Sequence, residues 1–141
     1  MTHYLDTSAI VPLILPDAHT SKAESWLDQT EPDSFVSSFG RVEFAAVVSR
    51  RVRSKHLSPA EGLGALTVFE EWLSRTAALV KTTSHDIEAA DRIVRDFDRK
   101  LSAPDGIHLA VAKRLGAVLV TFDQRLAAAA QLQTVKTILL K

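Results

Sequence analysis

The sequence predicts an α/β protein with a mostly parallel sheet covered by helices on both faces. Two observations carry that prediction. Short apolar runs of β type alternate with segments whose apolar residues recur at helical spacing. No repeat, low-complexity tract or long linker breaks the alternation. Such a pattern implies βαβ units, whose crossovers are right-handed. At 141 residues the chain is expected to form one domain over 1–141, long enough to bury a core.

The elements follow in order. "HYL" at 3–5 is a short first strand, "SFVS" at 34–37 a second and "ALVKT" at 78–82 a third. "AVLVTF" at 117–122 is the clearest, and "VKTILL" at 135–140 is a fifth, expected at an edge. Residues 18–29 place Ala23, Trp26 and Leu27 on one side of a helix, and 41–54 do the same with Val42, Ala45, Ala46 and Val48. The segment 58–76 opens with Ser58, Pro59 and Glu61, a capped helix start. Residues 84–100 carry Ile87, Ala90, Ile93, Val94 and Phe97 on one stripe. "PDGIHLAVAKRLG" at 104–116 has a start signal in Pro-Asp and a stop signal in Gly116.

Composition narrows the function. Without cysteine there is no disulfide, thiolate metal site or Cys nucleophile, whereas a hard cation held by oxygen is open. No basic region with a long apolar segment marks a signal peptide, and no apolar run is long enough to span a bilayer. A cytoplasmic protein without membrane contact is the expectation. Formal net charge is zero, so overall charge does not argue for nucleic acid.

In a parallel sheet every strand ends on one edge, where α/β proteins place their chemistry. Asp6 ends the first strand. Glu43 is expected in the first turn of the helix after the second strand. Asp105 starts the helix feeding "AVLVTF", and Asp123 follows that strand. Singly, each has an ordinary role: Asp6, Asp105 and Asp123 as caps, Glu43 as a complement to a helix dipole. Together, four carboxylates repel one another unless something positive sits among them. A divalent cation, Mg²⁺ or Mn²⁺, suits an all-oxygen donor set.

Other polar residues have plainer readings. Asp86 beside Thr83 and Ser84 reads as a cap. Asp91, Asp96 and Asp98 alternating with arginines read as a solvated, salt-bridged face. Asp17 after Pro16 reads as a helix start. Thr121, two residues before Asp123, points the same way along a regular strand, and its hydroxyl is placed to orient a water; Ser8 stands similarly to Asp6. Local backbone bonding is the ordinary alternative for both hydroxyls. His108, one turn past Asp105, reads as a packed, hydrogen-bonded histidine. In "SRRVRSKH", Arg50, Arg51 and Arg53 have no acid among them; alone, the run reads as a solvated helix end.

These residues resemble a known family. "YLDTSAIVPL", "VEFAAVVSR", "APDGIHLAVA" and "LVTFDQRLAAAA" look like the four acidic motifs of PIN-domain nucleases, in order and in register from residue 2 to about residue 130. The nearest branch is that of the VapC-like toxin ribonucleases of toxin–antitoxin pairs. The resemblance implies a three-layer α/β/α fold with the first strand central. It implies metal-binding acids at Asp6, Glu43, Asp105 and Asp123, with a supporting hydroxyl at Thr121. It also implies an RNA substrate, an antitoxin partner and a homodimer, for which the helices at 18–29 and 58–76 offer Trp26, Phe69 and Trp72 as apolar positions, alternatively core. Gly106 stands where such toxins more often have alanine, which reads as a minor change in packing.

On this reading Asp6, Asp105 and Asp123 hold Mg²⁺ or Mn²⁺, and Glu43 ligates a second ion or deprotonates the attacking water. Arg50, Arg51 and Arg53 become candidates for RNA phosphates or for an antitoxin's acidic segment. Two rival classes are a Mg²⁺-dependent phosphatase or phosphotransferase using Asp6 as nucleophile and a non-catalytic metal-binding module. The first usually needs a second acid two residues on, where this chain has Ser8.

Overall fold

The structure is a computed structural model that describes residues 1–141. Five strands, β1 (Thr2–Leu5), β2 (Asp33–Ser37), β3 (Ala77–Val80), β4 (Val118–Thr121) and β5 (Thr137–Leu139), form one sheet in the order β3-β2-β1-β4-β5. Every pairing is parallel. Seven helices connect them: α1 (Thr7–Ile14), α2 (Thr20–Thr30), α3 (Ser38–Arg53), α4 (Pro59–Thr76), α5 (Ser84–Val94), α6 (Ala103–Leu115) and α7 (Gln124–Leu132).

Successive strand residues point to opposite faces, and each face has its own core. Leu5, Val36 and Val120 pack with Ile10 of α1, Phe44 of α3 and Phe69 of α4. Tyr4 and Leu119 pack with Leu109 and Val111 of α6 and Leu126 of α7, and Phe35 joins them. The result is the expected three-layer α/β/α sandwich, with β5 at an edge and β1 central between β2 and β4. The carboxyl ends of β1, β2 and β4 therefore lie side by side.

The run after Asp6 has no helix assigned from sequence, yet it folds as α1 with Pro12 inside. The proline forfeits one backbone donor in a helix of eight residues, so a single carbonyl loses its partner. Asp6 caps the start, and Thr20 Oγ1 donates to the Pro12 carbonyl near the end at 2.6 Å. α3 starts at Ser38, not residue 41, because Ser37 Oγ accepts from the Gly40 N–H and caps it earlier. Glu43 accordingly sits in the second turn rather than the first. α5 ends at Val94; a separate 3-10 turn covers Phe97–Arg99, and Phe97 leaves the stripe for solvent. Asp17 does not cap α2, whose N-cap position is His19.

Phe69 is core, stacked on Phe44, and Trp26 and Trp72 pack against the same cluster. Phe69 is thereby core, the alternative reading, whereas Trp26 and Trp72 are only partly buried. Val42, Leu63 and Val68 are the large apolar residues that α3 and α4 leave exposed; of the expected side Val42, Ala45, Ala46 and Val48, only Val48 is buried, because Phe44 turns the inward face of α3.

Gly106 is more than a packing variation. A methyl built there meets Val94 Cγ1 at 2.7 Å and the Ala90 carbonyl oxygen at 3.3 Å, because α5 crosses α6 at this point. Gly106→Ala is expected to lose roughly 1–3 kcal/mol to overpacking, against a helix-propensity gain of about 1 kcal/mol. Urea midpoints should fall in Gly106→Ala and recover in Gly106→Ala/Val94→Ala. A higher midpoint in the single variant would mean that α5 moves aside at less cost than the propensity gain.

Candidate active site

Asp6 is the centre of the arrangement. It leaves β1 as the N-cap of α1, and only 4 % of its surface is exposed. Its Oδ1 accepts from Ser8 Oγ at 2.7 Å and from the Ala9 N–H at 3.1 Å, and its Oδ2 accepts from Thr121 Oγ1 at 2.7 Å. Burial pushes the Asp6 carboxyl above the usual range, and these donors, with His108 nearby, offset only part of that rise. The hydroxyls of Ser8 and Thr121 thus serve the carboxylate directly. They also keep backbone duties: Ser8 Oγ accepts from the Phe122 N–H at 2.9 Å, and Thr121 Oγ1 from the Asp123 N–H at 3.0 Å. The Thr121–Asp6 bond joins the carboxyl ends of β4 and β1, with the Ser8 hydroxyl of α1 3.1 Å from that of Thr121.

Asp123 is linked to Asp6 through Thr121. It caps α7 with Oδ1, which accepts from the N–H groups of Arg125 and Leu126, and Oδ2 has no hydrogen-bond partner. Asp105 is the third residue of α6, in a capping box with Ser102. It is half-buried and makes no hydrogen bond to the other three acids. The capping expected of Asp6, Asp105 and Asp123 is present in all three.

Glu43 faces inward from α3. Thr7 Oγ1 donates to its Oε1 at 2.6 Å, and His108 Nε2 binds the same oxygen. Burial raises the Glu43 carboxyl, but the bond and charge of His108, together with the Thr7 bond, outweigh it and hold the group below the usual range. His108 is buried and hydrogen-bonded, as expected for "GIHLAVA", with Tyr4 on its other side. Its bond to Glu43 has no signal in the sequence, since 65 residues separate the pair.

None of the four acids pairs with a lysine or arginine; the only ion-pair partner among them is His108, on Glu43. An all-oxygen set without a fixed cation fits Mg²⁺ or Mn²⁺ chemically. The expected gathering into one ready-made pocket is corrected in one respect. As the side chains stand, no three of them surround a common point. Asp105 and Asp123 are each tied by one oxygen to their own helix start, Glu43 by one to Thr7 and His108, and Asp6 by both to Ser8, Ala9 and Thr121, and uncompensated carboxylates keep apart.

Arg50 and Arg51 line a hollow of about 310 Å³ with Asp17 and with Thr7 and Ser8, the hydroxyls that donate to Glu43 and Asp6. A second hollow of about 590 Å³ shares both arginines and continues past Leu15 and His56. Arg53 is not part of either and donates to Ser49. Asp86 is turned away: it caps α5 and is gripped by Arg114 at 2.7 and 2.9 Å. Arg95–Asp91 and Arg99–Asp96 are the exposed pairs expected on that face.

Comparison with known proteins gives consistent likenesses. The sequence model of the PIN domain family matches residues 3–132. Ribonuclease VapC35 of Mycobacterium tuberculosis is 34% identical over 136 residues, covering 91% of this chain and 89% of that protein. Ribonuclease VapC47 of the same species is 29% identical over 135 residues, covering 87% and 85%. Among solved structures, M. tuberculosis VapC20, described as a Sarcin-Ricin loop cleaving toxin, superposes with a TM-score of 0.73 at 22% identity, covering 91% of this chain and 95% of that one. VapBC2 from Rickettsia felis, bound to a DNA fragment from its promoter, gives a TM-score of 0.73 at 16% identity over 100% of both chains. These two share the fold.

Proposed function

The chain belongs to the PIN-domain family, and on that premise we propose that it is a VapC-type toxin: an endoribonuclease that hydrolyses RNA phosphodiester bonds with Mg²⁺ or Mn²⁺ and is restrained by a small antitoxin. The observation that supports this reading is that Asp6 and Asp123 directly after β1 and β4, Glu43 on the helix after β2 and Asp105 at the start of α6 all lack a lysine or arginine partner. No helix is long and apolar enough to cross a membrane. A homodimer belongs to the same reading, with Val42, Leu63 and Val68 as the apolar residues open to a second copy.

Asp6, Asp105 and Asp123 would hold the cation, with Glu43 either completing the set or taking the proton of the attacking water. A bound divalent ion supplies charge compensation at the phosphate and acidifies water. Ser8 and Thr121 fix the Asp6 carboxylate by its two oxygens, so its orientation does not depend on the substrate. The bonds from His108 and Thr7 hold the Glu43 carboxyl below the usual range, which favours its charged form. Arg50 and Arg51 line the adjoining hollows, where successive phosphates of an RNA strand would find cations.

The test uses purified chain, free of antitoxin, and a mixed RNA pool. Cleavage should require added Mg²⁺ or Mn²⁺ and stop with chelator; cleavage that survives chelation would end the cation reading. Arg50→Ala/Arg51→Ala should weaken RNA binding at low salt and flatten its salt dependence by about two counterions' worth of slope. An unchanged slope would remove these arginines from the RNA path.

A further inference from the structure

Glu43 is held unevenly. Oε1 accepts from both Thr7 Oγ1 and His108 Nε2, whereas Oε2 has no hydrogen-bond partner. Donors gathered on one carboxylate oxygen fix the rotation of the group and leave the other oxygen without a protein donor. His108 is itself held. Its ring is buried, Phe39 meets it edge-on at 5.5 Å, and Nδ1 lies 2.6 Å from the Tyr4 hydroxyl. That hydroxyl lies 2.8 Å from Ser37 Oγ, which accepts from the Gly40 N–H at 3.0 Å. A single chain of hydrogen bonds thus runs from the start of α3 through β2, β1 and α6 back to Glu43. Tyr4 hydrogen-bonds none of the four acids.

We infer that Tyr4, acting through His108, is a positioning residue for Glu43, keeping Oε2 presented to a divalent cation. The inference rests on the cation reading above. Ionised Glu43 only accepts hydrogen bonds, so Nε2 is the nitrogen that carries hydrogen toward it. Nδ1 meets the Tyr4 hydroxyl in either charge state of the ring: a neutral imidazole accepts from it there, and an imidazolium donates to its oxygen. Without that hydroxyl a neutral ring is free to carry its hydrogen on Nδ1, leaving a bare Nε2 lone pair against the carboxylate. Glu43 would lose a donor and its fixed rotation. Thr7 supplies the second hold on Oε1 from the mouth of the site.

The test titrates Mn²⁺ calorimetrically into the RNA-free protein and follows melting separately. Tyr4→Phe and Thr7→Val are expected to bind Mn²⁺ about tenfold more weakly, the scale of outer-shell effects at metal sites. His108→Leu should lose at least as much, and His108→Gln, whose amide N–H can reach Glu43, should recover part of it. In RNA cleavage Tyr4→Phe should lower kcat and leave KM in place. A role in packing alone would lower the melting temperature and leave the Mn²⁺ affinity of the folded protein unchanged; that result overturns the inference. Tighter Mn²⁺ binding by Tyr4→Phe or His108→Leu overturns it too, since His108 would then compete with the ion for Glu43. Glu43→Gln separates the two levels. If it binds Mn²⁺ like wild type, the cation reading fails at Glu43 and the inference falls with it. If it binds weakly while Tyr4→Phe, Thr7→Val and His108→Leu do not, the inference alone fails.

Discussion

Asp6→Asn is expected to reduce RNA cleavage by about a thousandfold or more, and to melt no lower than wild type. The first half follows from removing a charge at the centre of the site; three decades correspond to about 4 kcal/mol of transition-state stabilisation. The second half follows from burial. Asp6 is 4 % exposed, and its carboxyl is pushed above the usual range because ionisation is costly there. Asparagine keeps an acceptor for Ser8 and the Ala9 N–H without the charge. Sites tuned for chemistry commonly gain stability when the chemistry is removed. The pH dependence has a definite sign. A carboxyl raised in the folded state destabilises the fold when ionised, so in chelator the variant's advantage is widest above the raised value. The advantage closes as pH falls through it toward the ordinary aspartate range. Calorimetric melts across that range, beside cleavage rates, check both halves. A variant that cuts RNA at the wild-type rate would remove Asp6 from the mechanism, and one that melts well below wild type would make its charge a structural element.

Arg114→Ala is the substitution expected to cost the fold most on the surface of the sandwich. Arg114 grips both oxygens of Asp86, whose side chain is 1% exposed, and also donates to the Lys81 carbonyl. Burial raises the Asp86 carboxyl, but Arg114 and the Thr83 cap outweigh that and hold it below the usual range. Breaking a buried pair costs about 3–5 kcal/mol. The Arg114 side chain is 36% exposed, so screening reduces the expected loss to about 2 kcal/mol. Because Asp86 has a depressed carboxyl, its contribution is present above the ordinary aspartate range and disappears as pH falls through its folded value. Urea unfolding should therefore show wild type and variant far apart at pH 7 and converging below about pH 4. A constant gap would assign the loss to packing of the arginine stem instead.

Sequence reveals local features and misses distant partners. The five strands and the alternation that makes a two-faced sheet are legible because each rests on a few consecutive apolar residues. The capping of Asp105 and Asp123 is legible for the same reason. α1 is hidden by Pro12, which normally argues against a helix interior. The early start of α3 is hidden in Ser-Phe-Gly, three residues that read as a loop. At the site, Asp6, Glu43, Asp105 and Asp123 can be named from their places on the sheet edge. That Glu43 leans on His108, and His108 on Tyr4, cannot: those pairs are 65 and 104 residues apart. The placement of the acids is a property of topology, whereas their orientation is a property of long-range packing.

The central position of β1 has a consequence for a chain emerging from the ribosome. Its first four ordered residues need β4 as a neighbour, and Asp6 and Thr121 are 115 residues apart. Contacts so distant form late and slowly. The chain through β4 must be synthesised before Asp123 and the Thr121 hydroxyl can join Asp6. A nascent chain that stops short of β4 holds Asp6 with Oδ2 lacking its Thr121 donor and with no Asp123 beside it.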